Sequence, residues 1–218
     1  MRSVILILVG CCCLVATAAH GAEPAADNSG FVSLFDGKTL TGWQGALNGY
    51  EARDGVLAPK AGVGGNLYTK DEYGDFVFRF EFKLTPNANS GIGLRTLTHG
   101  DSAYVGMESQ VLDDSGSDYQ KLHPYQYHGS IYGIVPAKRG HLKPVGEWNT
   151  EEITCQGRHV KVVLNGVTIV DADLDQAAPG GKTIDGKAHP GMARAKGYIG
   201  LLGHTHTLEF RNLAIKPL

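Results

Sequence analysis

From Asp75 to Thr85 the chain reads DFVFRFEFKLT, with Phe76, Phe78, Phe80, Phe82 and Leu84 alternating with Val77, Arg79, Glu81, Lys83 and Thr85. In an extended chain, side chains two apart point the same way; a helix would scatter the same five residues around its axis. The segment is therefore a half-buried antiparallel strand, one face in a core and the other wet. Four phenylalanines on one face need a sheet around them and a second layer to cover them.

The rest of the chain supplies that layer. Strand-like runs fall at 31–35 (FVSLF), 51–58 (EARDGVLA), 91–96 (GIGLRT), 104–112 (YVGMESQVL), 147–156, 159–164, 167–173, 198–204 and 208–216, with no helical run of convincing length. Asn165-Gly166 between two β-branched segments marks a tight hairpin, because both turn residues must take positive φ. Glycine, 30 of 218 residues, is about twice its usual share of roughly 7%, which suits many turns. Short strands with Gly-rich connections predict an all-β fold, a two-sheet antiparallel sandwich or jelly roll, with a closed barrel as the alternative.

The N-terminus precedes that fold. Met1-Arg2, the apolar run from Val4 to Ala19 and the small residues up to Ala22 have the layout of a signal peptide over residues 1–22. About 16 apolar residues fall short of the roughly 20 a membrane-crossing helix needs, so no transmembrane segment is expected after cleavage. Residues 23–30 form a polar tether, and 31–218 one domain. The chain is thus expected to be exported, periplasmic or secreted; Leu8-Val9-Gly10-Cys11 offers a lipid anchor at Cys11 as the alternative. Cleavage leaves Cys155 as the remaining cysteine, an unpaired thiol. With 20 Lys+Arg against 22 Asp+Glu and a formal charge of −2, there is no basic cluster of the kind nucleic acid requires.

Strand parity nominates a polar face. In 104–112, Val105, Met107, Ser109 and Val111 share one side and Gly106, Glu108 and Gln110 the other; in 89–95, Ile92 and Leu94 oppose Gly91, Gly93 and Arg95. If the two strands are neighbours, Arg95, Glu108 and Gln110 line one outer face, with the glycines leaving room for a ligand. His204 stands at a strand end and can converge there. The segment 115–145, rich in Gly, Pro, Tyr and His, reads as a long functional loop. His123, His128 and His141 within it match no zinc spacing. Trp43 and Trp148 are expected in the core.

Several segments in order, FVSLFDGKTLTGW (31–43), DGVL (54–57), YGDFVFRFEFKL (73–84), NSGIGLR (89–95), YVGMESQVLDD (104–114), GEWN (146–149), LNG (164–166) and IGLLGHTHTLEFRN (199–212), resemble the DUF1080, or 3-keto-disaccharide hydrolase, domain family. The resemblance covers nearly the whole mature chain. It implies a concanavalin A-like jelly roll and an activity on oxidised sugars, with a 3-keto-glycoside as the saccharide partner. Where members read an acidic residue before the histidine, this chain has Leu202, Gly203 and then His204.

Retaining glucanases use two carboxylates about 5 Å apart, often set as E-x-D-x-x-E. Here that frame reads Glu108, Gln110 and Asp113, with an amide in place of the central acid, which disfavours double displacement. A 3-keto group acidifies the C2 proton instead, so one base can form an enolate, the C1 leaving group departs by β-elimination, and water adds back. On the resemblance, Glu108 is the base, Arg95 or a bound divalent cation the partner of the enolate oxygen, and His204 the proton shuttle to the leaving oxygen. Gln110, Asp113, Asn89, Tyr104 and Tyr132 are the candidate sugar contacts. A non-catalytic carbohydrate-binding module would use the same face; an envelope scaffold has no motif of its own.

Overall fold

The computed structural model describes residues 29–204 and 206–218; the expected signal segment, Cys11 and most of the polar tether lie outside the described residues. Thirteen strands run in chain order: β1 (Val32–Ser33), β2 (Trp43–Gly45), β3 (Tyr50–Arg53), β4 (Val56–Pro59), β5 (Gly65–Thr69), β6 (Phe76–Leu84), β7 (Asn89–Thr96), β8 (Met107–Leu112), β9 (Trp148–Gln156), β10 (His159–Leu164), β11 (Val167–Asp173), β12 (Tyr198–Gly203) and β13 (Leu208–Pro217). Two four-residue helical turns, α1 (Ser102–Val105) and α2 (Leu174–Ala177), interrupt them. One sheet has the order β11-β10-β9-β6-β13-β4-β3, with β1 also paired to β13, and the other has the order β2-β5-β12-β7-β8. The fold is the expected two-sheet antiparallel sandwich rather than a closed barrel.

The alternation in β6 does what its pattern requires. Phe76, Phe78, Phe80 and Phe82 are fully buried, and burial of each contributes roughly 1.5–3 kcal/mol. They face Ile92, Leu94, Met107, Ile199 and Leu201 of the second sheet in one core cluster. On the outer face of β6, Arg79 pairs with Glu152 at 2.8 Å and Lys83 with Glu209 at 2.5 Å. Trp43 is in the core as expected, its indole donating to the Leu34 carbonyl at 2.8 Å. Trp148 is only half-buried and lies on the outside, with the Arg211 guanidinium 3.9 Å and the Lys83 ammonium 4.9 Å from its ring centre. Cys155 is unpaired and buried, and burial pushes its thiol up to about 12.

Local expectations were redrawn in three places. Residues 51–58 are a hairpin, β3 and β4, turning at Asp54 and Gly55 with φ of 51° and 80°; aspartate tolerates the left-handed region, so Asp-Gly is a turn signal rather than strand interior. Tyr104 and Val105 belong to α1, whose N-cap Asp101 accepts from the Ala103 N–H at 3.1 Å. The short strands β2 and β5 lack a periodic apolar signature and are held by their neighbours. The Asn165-Gly166 hairpin forms as read, with φ of 49° and 81°.

Candidate active site

β7 and β8 are neighbours, paired Gly91 to Gln110 and Gly93 to Glu108, and β12 lies on the other side of β7 with Gly200 opposite Gly93 and Leu202 opposite Gly91. Met107, Ser109 and Val111 point into the core, so Glu108 and Gln110 stand on the outer face. A cleft of about 220 Å³ opens there, lined by Asn89, Asp101, Ala103, Tyr104, Glu108, Gln110, Leu112, Tyr119, Leu122, Gln126, Tyr132 and His204. The segment 115–145 forms one wall. Its Tyr132 N–H donates to the Glu108 carbonyl and its Gly129 N–H to the Gln110 carbonyl, covering the free edge of β8.

Glu108 lies at the bottom, 7% exposed. Its side chain crosses diagonally over Gly91: a Cβ on that residue would lie 2.0 Å from Glu108 Oε1. Gly91 therefore makes room for this carboxyl, not for a ligand as its parity suggested. Among the described residues no hydrogen bond reaches the Glu108 carboxyl. Burial, with a smaller contribution from the Asp101 charge, raises it to about 8; a carboxylate with neither solvent nor donors holds its proton. Gln110 donates to Asn89 Oδ1 at 2.9 Å and Gln126 to the Tyr132 hydroxyl at 2.9 Å, fixing polar groups around it. His204 follows β12 at the exposed rim. Loss of solvation and then His206 lower its pKa, with Asp101 acting the other way, so neutral imidazole is the favoured form.

Six of the eight residues nominated from sequence thus line one cleft: Glu108, His204, Gln110, Asn89, Tyr104 and Tyr132. Arg95 does not. Between Gly93 opposite Gly200 and Thr96 opposite Tyr198, two residues of β7 face one of β12, and Arg95 takes φ of 49°. This bulge breaks the parity. It turns the guanidinium, 3% exposed, away to Asp75 Oδ1 and the carbonyls of Gly74 and Gly157, each at 2.8 Å. Asp113 is likewise absent from the cleft: its carboxylate accepts from Asn87 N–H at 2.9 Å, Ser115 N–H at 3.0 Å and Ser115 Oγ at 2.6 Å, which is turn chemistry. Asp101, Tyr119, Leu122 and Gln126 were missed. Asp101 had a legible signal, an Asp-Ser pair suited to a helix N-cap, obscured by the strand reading of 104–112; the other three lie on the loop flagged as functional, from which Tyr132 was nominated.

Among the described residues no group of three or more His, Cys, Asp or Glu side chains is arranged to hold a metal ion. The divalent cation considered as partner to the enolate finds no such donor set among the described residues.

A β-sandwich with a proton-holding carboxyl at the foot of a polar, tyrosine-lined cleft on one sheet has the form of a carbohydrate-active protein. The chain belongs to the 3-keto-alpha-glucoside-1,2-lyase-like domain family, whose model matches residues 30–216. A curated relative, the 3-keto-disaccharide hydrolase of Bacteroides thetaiotaomicron, is 26% identical over 231 residues, covering 88% of this chain and 80% of that protein. A crystal structure from Parabacteroides distasonis, assigned provisionally as a glycosyl hydrolase, is 32% identical with a TM-score of 0.73, covering 86% of this chain and 99% of that one. The carbohydrate-binding module CBM66 of Bacillus subtilis shares the fold alone, with 13% identity and a TM-score of 0.54 over 81% of this chain and 96% of that one.

Proposed function

We propose that the protein is an exported enzyme that cleaves 3-keto-glycosides by C2 deprotonation, β-elimination and addition of water. The observation that carries this reading is the buried Glu108 carboxyl, raised to about 8 in a polar cleft; membership of the family and the name of the Bacteroides relative supply the substrate class. A base poised near the working pH combines a usable ionised fraction with strong proton affinity.

In its ionised form Glu108 takes the proton from C2. The C–H electron pair becomes the C2–C3 double bond, and the carbonyl pair moves onto the C3 oxygen as an enolate. When the enolate collapses, C1–O breaks and the leaving oxygen takes a proton from water that the neutral His204 ring orients. Water then adds across the C1–C2 double bond, its oxygen to C1 and a proton to C2, and the product is 3-keto-sugar plus free aglycone. The cleft lies below the roughly 300–1,000 Å³ of drug-sized sites. It thus suits one keto-ring, with the aglycone passing out over the rim where His204 stands.

The apolar run before Ala22 supports export, and N-terminal sequencing of the mature protein tests it against an acylated Cys11. A purely sugar-binding module would use the same cleft but would leave the starting glycoside intact. Incubation with 3-keto-trehalose in deuterated water decides between them: released 3-keto-glucose carrying deuterium at C2 is expected. Product without C2 deuterium overturns elimination, and no product at all favours the binding module.

A further inference from the structure

With Arg95 turned away, the positive charge that meets the cleft comes from a segment that sequence reading passed over. Lys187 Nζ donates to the Tyr104 hydroxyl oxygen at 2.9 Å and lies 5.2 Å from the centre of the same ring. An ammonium can only donate, so the phenol oxygen is the acceptor and its own hydrogen is left for another group. Among the described residues no acceptor takes that hydrogen, and Tyr104 lines the cleft together with Glu108.

The arrangement is built. His189 and Asp185 are buried and 3.0 Å apart, and the other ring nitrogen of His189 faces the Ala103 carbonyl at 3.1 Å, so the 183–189 loop is pinned to α1 beside Tyr104. The His189 and Tyr104 rings lie 4.7 Å apart, leaving Tyr104 between His189 and the lysine. Asp185 also accepts from the Lys187 N–H at 3.0 Å and from Thr183 Oγ1 at 2.8 Å, setting the backbone from which the lysine reaches. Gly191 approaches Gly106 so closely that a Cβ on it would lie 2.2 Å from the Gly106 nitrogen. Gly133, next to Tyr132, leaves equally little room: a Cβ there would lie 2.5 Å from Asp185 Oδ2. The hydrogen bond that Lys187 donates to Tyr104 in turn raises the Lys187 pKa, which keeps the charge in place.

We propose that Tyr104 is a catalytic hydrogen-bond donor to the sugar oxygen on which negative charge develops, and that Lys187 is a positioning residue that polarises it. This rests on the enolate reading above. As C2 loses its proton and the electron pair reaches the C3 oxygen, the Tyr104 O–H shortens its hydrogen bond to that oxygen without giving up the proton. The ammonium behind it stabilises the charge shift, which is larger in the transition state than in the bound ketone.

The test is a mutant cycle on 3-keto-trehalose turnover. Tyr104→Phe is expected to lower kcat about 10²-fold or more with KM within a few fold, the usual scale for loss of one oxyanion donor. Lys187→Met is expected to lower kcat about 10-fold, Lys187→Arg to restore most of it, and Lys187→Met to add nothing in a Tyr104→Phe background, since coupled residues are non-additive. Unchanged kcat in Tyr104→Phe overturns the proposal; an equal Lys187→Met effect in both backgrounds overturns the part given to the lysine. Calorimetric binding of L-ascorbate, a stable cyclic enediolate, reads the same contact without turnover. At about pH 6, below the Glu108 pKa, both single variants should bind ascorbate roughly 10-fold more weakly and glucose as the wild type does. That result in a protein that does not cleave keto-sugars would remove the proposed reaction while retaining the donor; equal ascorbate affinity in all three proteins would remove the donor.

Discussion

Glu108 is proposed as the base because of what surrounds it rather than what it is. Its carboxyl rises from the usual 4.5 to about 8 through burial first and Asp101 second. If the ionised form is the base, kcat/KM should climb with pH and level off above about 8, and Glu108→Gln should lose roughly 10²-fold or more in kcat. A profile flat from pH 6 to 9 would exclude Glu108 as the base. The same shift bears on stability. The folded state holds the proton more tightly than the unfolded chain, so the folded protein loses stability as pH rises from about 4.5 through about 8 and loses nothing further above. That difference corresponds to about 5 kcal/mol. Glu108→Gln should therefore melt well above the wild type at pH 9, with the gap closing by pH 5, as differential scanning calorimetry would read.

At the scale of elements, two residues on β7 that share a face by parity act in different ways because of one bulge. Gly91 precedes the bulge and leaves space for the Glu108 side chain; Arg95 lies within it and holds Gly74, Asp75 and Gly157 together from inside. Gly91→Ala should keep its fold, since the atom met first is the tip of a flexible side chain, yet lose at least 10-fold in kcat by displacing the base. Arg95→Ala should do the reverse, destabilising by roughly 2–4 kcal/mol through orphaned carbonyls and an unpaired Asp75. Its turnover per folded molecule should stay near that of the wild type. Thermal melts paired with active-site-normalised kinetics separate the two, and a catalytic loss in Arg95→Ala without loss of stability would contradict this placement. Parity was legible in β6 and β8, where the strands run without interruption. It failed in β7 because no local residue signals a bulge that is set by pairing with β12.

Across the whole molecule, the two layers meet at a polar contact inside a mostly apolar core. His128, from the long loop, and Glu151, from β9, are both buried and lie 3.0 Å apart, out of line for a hydrogen bond, while His128 Nδ1 accepts from the Leu112 N–H behind the cleft wall at 3.3 Å. Removing one partner strands the other, so Glu151→Ala should cost about 3–5 kcal/mol, and a melt within 1 °C of wild type would show the pair to be idle. The amino-acid sequence alone determined the layers and most of the cleft floor. A period of two is a local property of the chain, so β6, the β10–β11 hairpin and the opposed faces of β8 followed from it, and with them Glu108, Gln110 and the core. Which polar residues share the cleft was decided by tertiary structure. The bulge that withdraws Arg95, the turn that occupies Asp113, and the pinned loop that delivers Lys187 to Tyr104 across 83 positions all depend on pairings between distant segments, and short-range periodicity carries no information about those.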